Sequence, residues 1–92
     1  MQGKGITMTQ AQYENEMSSH GFEVGLTGGG CTAFCKDLEI GDTKFDIQIA
    51  NDCETPKVGE WANVRFSLGD GHKFSFQLSN HNAVLLFADT LV

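Results

Sequence analysis

Cys31, Cys35 and Cys53 carry the most reactive side chains in this sequence. Cys31 and Cys35 have the spacing of one helical face, where they could share a metal ion. Their neighbours favour an extended chain instead, at about 3.3 Å per residue, which separates the two Cα atoms by ~13 Å. That is beyond disulfide range and too far for shared coordination without a bend. Cys53 falls in a long polar stretch and could approach only one of the other two. There is no Cys-x-x-Cys or His-x-x-x-His pair. An odd cysteine count leaves no complete disulfide framework. The expectation is three reduced thiols, small and apolar enough to be buried, with no intrachain disulfide and no stoichiometric zinc.

The three histidines have plain accounts. His20 falls at a helix C-terminus, where positive charge is favoured. His72 lies in a tight turn and His81 in the first turn of a helix. A cysteine–histidine nucleophilic pair would need an orienting third group, and no recognisable motif supplies one. Gly28-Gly29-Gly30 could form an anion-binding nest, but phosphate loops run from strand to helix and carry a lysine and a hydroxyl. This triplet joins two strands and reads as a hairpin turn. Asp42, Asp52 and Glu54 match no calcium-loop spacing. Together with Asp46 they read as a solvated acidic edge, a candidate partner-binding surface along with Trp61, which opens a strand on its polar phase.

The chain has 92 residues and a formal charge of −6, and its six basic residues are scattered. Nucleic-acid affinity rests on clustered cations meeting phosphates, so direct nucleic-acid binding is not expected. Attraction to an anionic membrane fails for the same reason. No stretch approaches the ~20 apolar residues of a membrane span. The first residues lack the apolar run of a secretory signal. A soluble, cytoplasmic protein is the expectation, without a cofactor.

The elements that position these residues follow from periodicity. Residues 1–7 read as a flexible N-terminal extension of one domain spanning 1–92. Thr9 and Gln12 form a capping box, with Met8 and Tyr13 placed as a hydrophobic staple. A helix follows over about residues 10–19, and Gly21 suits the left-handed position that ends it. From Phe22 the period becomes two. Phe22, Val24 and Leu26 alternate with polar residues, and Cys31 to Leu38 resumes extended character after the glycines. Phe45, Ile47 and Ile49 alternate beyond a Gly41-Asp42 turn. Ala62, Val64, Phe66 and Leu68 pair with Phe74, Phe76 and Leu78 across Asp70-Gly71, a strong hairpin signal. On this pattern Phe66, Phe74 and Phe76 share a buried face. Ser79 or Asn80 caps a closing helix over Ala83 to Val92, apolar on most sides and so in need of cover on more than one. The architecture expected is α+β, an antiparallel meander of about five strands with an N-terminal and a C-terminal helix packed on one face. A small closed barrel is the alternative.

Phe22-Glu23-Val24 followed by Thr27-Gly28-Gly29-Gly30-Cys31-Thr32-Ala33 resembles a pattern in small uncharacterised phage and prophage proteins. There a Thr-Gly-Gly-Gly-Cys turn joins two strands, and a later strand ends in acidic residues, as Phe45 to Asp52 does here. The resemblance covers about the middle third of the chain. It implies a phage-related source and no particular activity.

The leading functional expectation is a small acidic, non-enzymatic accessory protein that acts by contact with a protein partner. One form would inhibit a nucleic-acid-binding machine, in the manner of anti-CRISPR proteins, by presenting acids to a basic groove. A cysteine-dependent enzyme or metal-binding module is the first alternative, and a virion or structural component the second. The apolar excess of the last helix points to a homodimer, with Leu85 or Leu86 crossing the interface.

Overall fold

The structure, a computed structural model, describes residues 8–91. The N-terminal extension expected over residues 1–7, and Val92, lie outside that range. The elements run in the order α1 (Gln10–Ser19), β1 (Glu23–Gly28), β2 (Cys31–Ile40), β3 (Thr43–Ala50), β4 (Ala62–Leu68), β5 (Lys73–Leu78) and α2 (His81–Thr90). Both ends of α1 are set by local chemistry. The Gln12 N–H donates to Thr9 Oγ1 at 3.1 Å, and the Thr9 N–H donates to Gln12 Oε1 at 2.8 Å, closing the capping box. At the other end Gly21 has φ +88°. Its N–H reaches the Ser18 carbonyl at 3.0 Å, and the Phe22 N–H reaches that of Met17, also at 3.0 Å. Those two bonds are the Schellman pattern, and the buried Phe22 and Met17 sit at its apolar positions. Asn80 caps α2 by accepting the Ala83 N–H at 3.1 Å.

The strands form one antiparallel sheet in sequence order, β1-β2-β3-β4-β5. It is an open meander with β1 and β5 at its edges, not a barrel. Gly29 and Gly30, with φ +60° and +83°, turn β1 into β2, and positive φ at both central residues is what a type I′ hairpin needs. The β2–β3 turn at Gly41-Asp42 and the β4–β5 turn around Asp70 lie at one end of the sheet. The loop 51–61 and the glycine hairpin lie at the other.

Both helices cover the same face. Tyr13 and Met17 of α1 and Val84 and Ala88 of α2 join Phe22, Phe34, Ile47, Ile49, Ala62, Val64 and Phe66 in one buried cluster. Tyr13 meets Phe34 edge-on at 5.3 Å. The Tyr13 hydroxyl is buried without a hydrogen-bond partner, so desolvation raises its pKa well above the usual phenol range. The helices are anchored at the loop end. The Gln10 amide donates to the Pro56 carbonyl and accepts the Val58 N–H, while His81 Nδ1 accepts the Gly59 N–H at 3.0 Å.

Each helix has ten residues and is ~15 Å long. The ten-residue β2 strand spans ~33 Å. Two such helices starting at the loop end cannot cover the whole face, and the buried alternation expected along the strands breaks down in two places. Val24 and Leu26 on the edge strand β1 are exposed. Phe74 and Phe76 do share a face with Phe66, stacking on it at 4.9 and 6.2 Å, but they are 53% and 38% exposed against 9% for Phe66. The register Phe66↔Phe74 and Val64↔Phe76 agrees with the pattern in the sequence; the burial does not. Phe66→Ala should therefore cost about 3–5 kcal/mol, and Phe76→Ala only about half as much, because less of its surface leaves water on folding. Urea midpoints compare the two, and equal losses would contradict the partial cover of β5.

The expectation of three reduced thiols is overturned. Cys31 and Cys53 form a disulfide, with Cα atoms 4.7 Å apart. The physical reason is register across strands rather than spacing along one. β2 and β3 are antiparallel, with Phe34 opposite Ile49. Continuing that register brings the start of β2 beside the chain just past β3. There Asn51 and Glu54 exchange backbone hydrogen bonds of 2.8 and 3.0 Å, and the Thr32 N–H donates to the Cys53 carbonyl. That tight reversal holds Cys53 over Cys31.

Candidate interaction surfaces

Two surfaces are left by this packing. The first is the turn end of the helix-bearing face, which the helices do not reach. Leu38 and Ile40 of β2, Phe45 of β3, Leu68 of β4 and Phe74 of β5 follow from the buried rows Phe34, Ile47, Ile49, Val64 and Phe66 by the two-residue period. Phe45 packs edge-on against Phe66 at 6.2 Å, and Phe87 of α2 closes the inner border against Phe66 and Phe76 at 5.9 and 5.4 Å. Ile40 is 61% exposed, and Leu38, Phe45 and Leu68 are partly buried. An exposed isoleucine and a phenylalanine on one continuous face form a patch rather than scattered apolar residues.

The second surface is the opposite, polar face of the sheet. Asp37, Glu39, Lys44, Asp46 and Ser67 line a depression of about 440 Å³ at its turn end. Another, of about 290 Å³, lies toward the glycine hairpin beside Gln48, Asn63, Arg65 and Ser75. Asp37 and Asp46 are directly opposite one another in the β2–β3 ladder, a like-charge pair that disfavours local pairing. Cys35 stands on this face. Its Sγ lies 3.6 Å from the Ala33 carbonyl oxygen. Burial, then the charges of Asp46 and Asp37, push its pKa up, against a backbone hydrogen bond from Gly25 that lowers it. A thiol held protonated is a poor nucleophile and a poor metal ligand.

The acidic cluster read from the sequence is not one surface. Asp42 is in the β2–β3 turn, and Asp46 is half-buried on the polar face. Asp52 and Glu54 belong to the reversal beside Cys53, at the far end of the eight-residue β3, some ~26 Å away. Asp52 adopts φ +57°, a left-handed conformation that aspartate tolerates better than most residues. Trp61 is also at the loop end, exposed, with its carbonyl accepting the Asn51 amide at 2.8 Å. The structure thus separates the acids that the sequence groups. It also separates Leu85 from Leu86: Leu85 packs against the core, while Leu86 is 67% exposed.

The sequence does not single out Ile40, and it assigns Phe74 to the buried face. Their apolar phase is visible there, but whether a helix covers that phase depends on helix length and anchoring. Among the described residues, no three His, Cys, Asp or Glu side chains are grouped to hold a metal ion. Nor is any helix there long and apolar enough to cross a membrane. Comparison with known protein families, with curated proteins and with solved structures finds no match for this chain.

Proposed function

We propose that the protein is a non-enzymatic accessory factor that binds another protein through the uncovered turn end of its helix-bearing face. The observation that carries this is the continuation of the core's apolar rows into solvent, ending at Ile40 and Phe74. Such a patch favours a partner that presents apolar side chains. Burial and the nearby carboxylates raise the pKa of Cys35, which speaks for binding rather than cysteine catalysis. A phage-related source remains part of the proposal, on the Thr27–Ala33 resemblance alone. The cytoplasmic setting does not, because the Cys31–Cys53 bond fits an oxidising environment better.

A specific observation keeps an acidic reading as the second one: Asp37, Glu39 and Asp46 line one depression on the polar face. Contact with a basic groove would then be salt-sensitive. One experiment separates the two. The partner captured by wild-type protein is challenged with Ile40→Glu and, separately, with charge reversal of Asp37, Glu39 and Asp46. Loss with Ile40→Glu, and retention with the reversals at raised salt, is the expected result. The opposite pattern would transfer the function to the acids. Melting curves confirm that each variant is folded.

A further inference from the structure

We propose that two copies of the chain join along β5 to make one continuous ten-stranded sheet, paired antiparallel about a two-fold axis at Ser75. The inference shares Phe74 with the partner surface proposed above but rests on the backbone edge of β5.

β5 is an edge strand with five of its six residues exposed. The direction of its unpaired backbone groups follows from the hairpin. The Leu68 N–H donates to the His72 carbonyl at 2.8 Å, so Leu68 and His72 are a hydrogen-bonded pair. In the same register come Phe66↔Phe74 and Val64↔Phe76. Hydrogen-bonded and non-hydrogen-bonded pairs alternate along an antiparallel ladder. Lys73, Ser75 and Gln77 therefore turn their N–H and C=O groups away from β4, toward solvent.

A second β5 placed antiparallel, with Ser75 opposite the partner's Ser75, meets those groups with its own. Lys73 falls opposite the partner's Gln77, and up to about six N–H···O bonds form. Phe74 then lies opposite the partner's Phe76 at a non-hydrogen-bonded position, where facing side chains come closest. Both rings, 53% and 38% exposed in one chain, acquire an aromatic neighbour. Shifting the axis by one residue to Phe76 would instead set Phe74 against Leu78, which is already half-buried.

Charge selects a second copy at this edge rather than at β1. Two chains of formal charge −6 repel unless they meet on a neutral surface. Residues 73–92 hold one lysine, Lys73, and one acid, Asp89. The other edge presents Glu23, with Glu14 and Glu16 on the adjoining helix. Like charges facing across an edge oppose pairing.

Sedimentation equilibrium at micromolar concentration should give twice the chain mass for the wild type. Ser75→Pro removes an N–H that points outward, a position where an edge strand tolerates proline, and should return the mass to that of one chain. Ser75→Lys places two ammonium groups opposite one another and should do the same if the proline variant fails to fold. In a Cys35→Ser background, Ser75→Cys should form a reducible covalent dimer on mild oxidation. Facing residues of a hydrogen-bonded pair sit ~5.5 Å apart, within disulfide reach, whereas Gln77→Cys in the same background should not link. A wild type of single-chain mass would overturn the proposal. So would a dimer unaffected by folded Ser75 variants, or one that links through Gln77→Cys and not Ser75→Cys.

Discussion

Removing the Cys31–Cys53 bond should cost about 3 kcal/mol of folding stability, since the residues joined are 22 apart in sequence and cross-linking them restricts the unfolded chain. A small domain has only about 5–15 kcal/mol in total, so the loss is a substantial fraction. The Cys31→Ser/Cys53→Ser double variant isolates the effect from any chemistry at Cys35. Its melting temperature should fall by roughly 4–8 °C for each kcal/mol lost, and dithiothreitol should lower the wild type to a similar value. The bond also pins the loop that anchors both helices. Thr32, next to Cys31, accepts the Thr55 N–H at 3.1 Å and bonds its hydroxyl, and Pro56 beyond it accepts from Gln10 of α1. Hydrogen exchange should therefore accelerate first in residues 51–61 and the first turn of α1. A double variant with the wild-type melt and exchange pattern would show that the bond carries none of this.

Phe34→Ala should cost about 3–5 kcal/mol of folding stability. Phe34 is 1% exposed. It pairs with Val24 on one side and Ile49 on the other, and it carries the Tyr13 ring of α1. Its removal opens a void between sheet and helix that Tyr13 cannot fill without moving its hydroxyl, which already lacks a partner. Destabilisation measured in urea should be about twice that of Phe76→Ala. A loss below about 1 kcal/mol would mean that the helix does not rest on this ring.

Much of the fold is legible in the sequence because it is local. The Thr9–Gln12 capping box, the Gly21 terminator, the Gly29-Gly30 and Asp70-Gly71 turns and the alternation along β3 and β4 each act within a few residues. Antiparallel order then follows from short connections. What cannot be read there depends on relations between elements. Cys31 and Cys53 are nearly equidistant from the Gly41-Asp42 turn, and that symmetry is the one signal that could have paired them. Counting along a single strand misses it. Phe74 and Phe76 have the pattern of core residues, yet α2 stops too soon to cover both. Asp42, Asp46, Asp52 and Glu54 cluster in sequence, but an intervening strand carries them apart.

Cys35 gives the disulfide a kinetic consequence. During oxidation a chain with three sulfurs can close the wrong pair, or reopen the right one when the third attacks as thiolate. Cys35 stands on the polar face with its pKa raised by burial and by the carboxylates of Asp46 and Asp37. Once the sheet has formed, β2 also holds Cys35 four residues along the strand from Cys31, about 13 Å away and out of reach of the bond. The extended chain that pairs β2 with its neighbours thus protects the covalent outcome of folding from rearrangement.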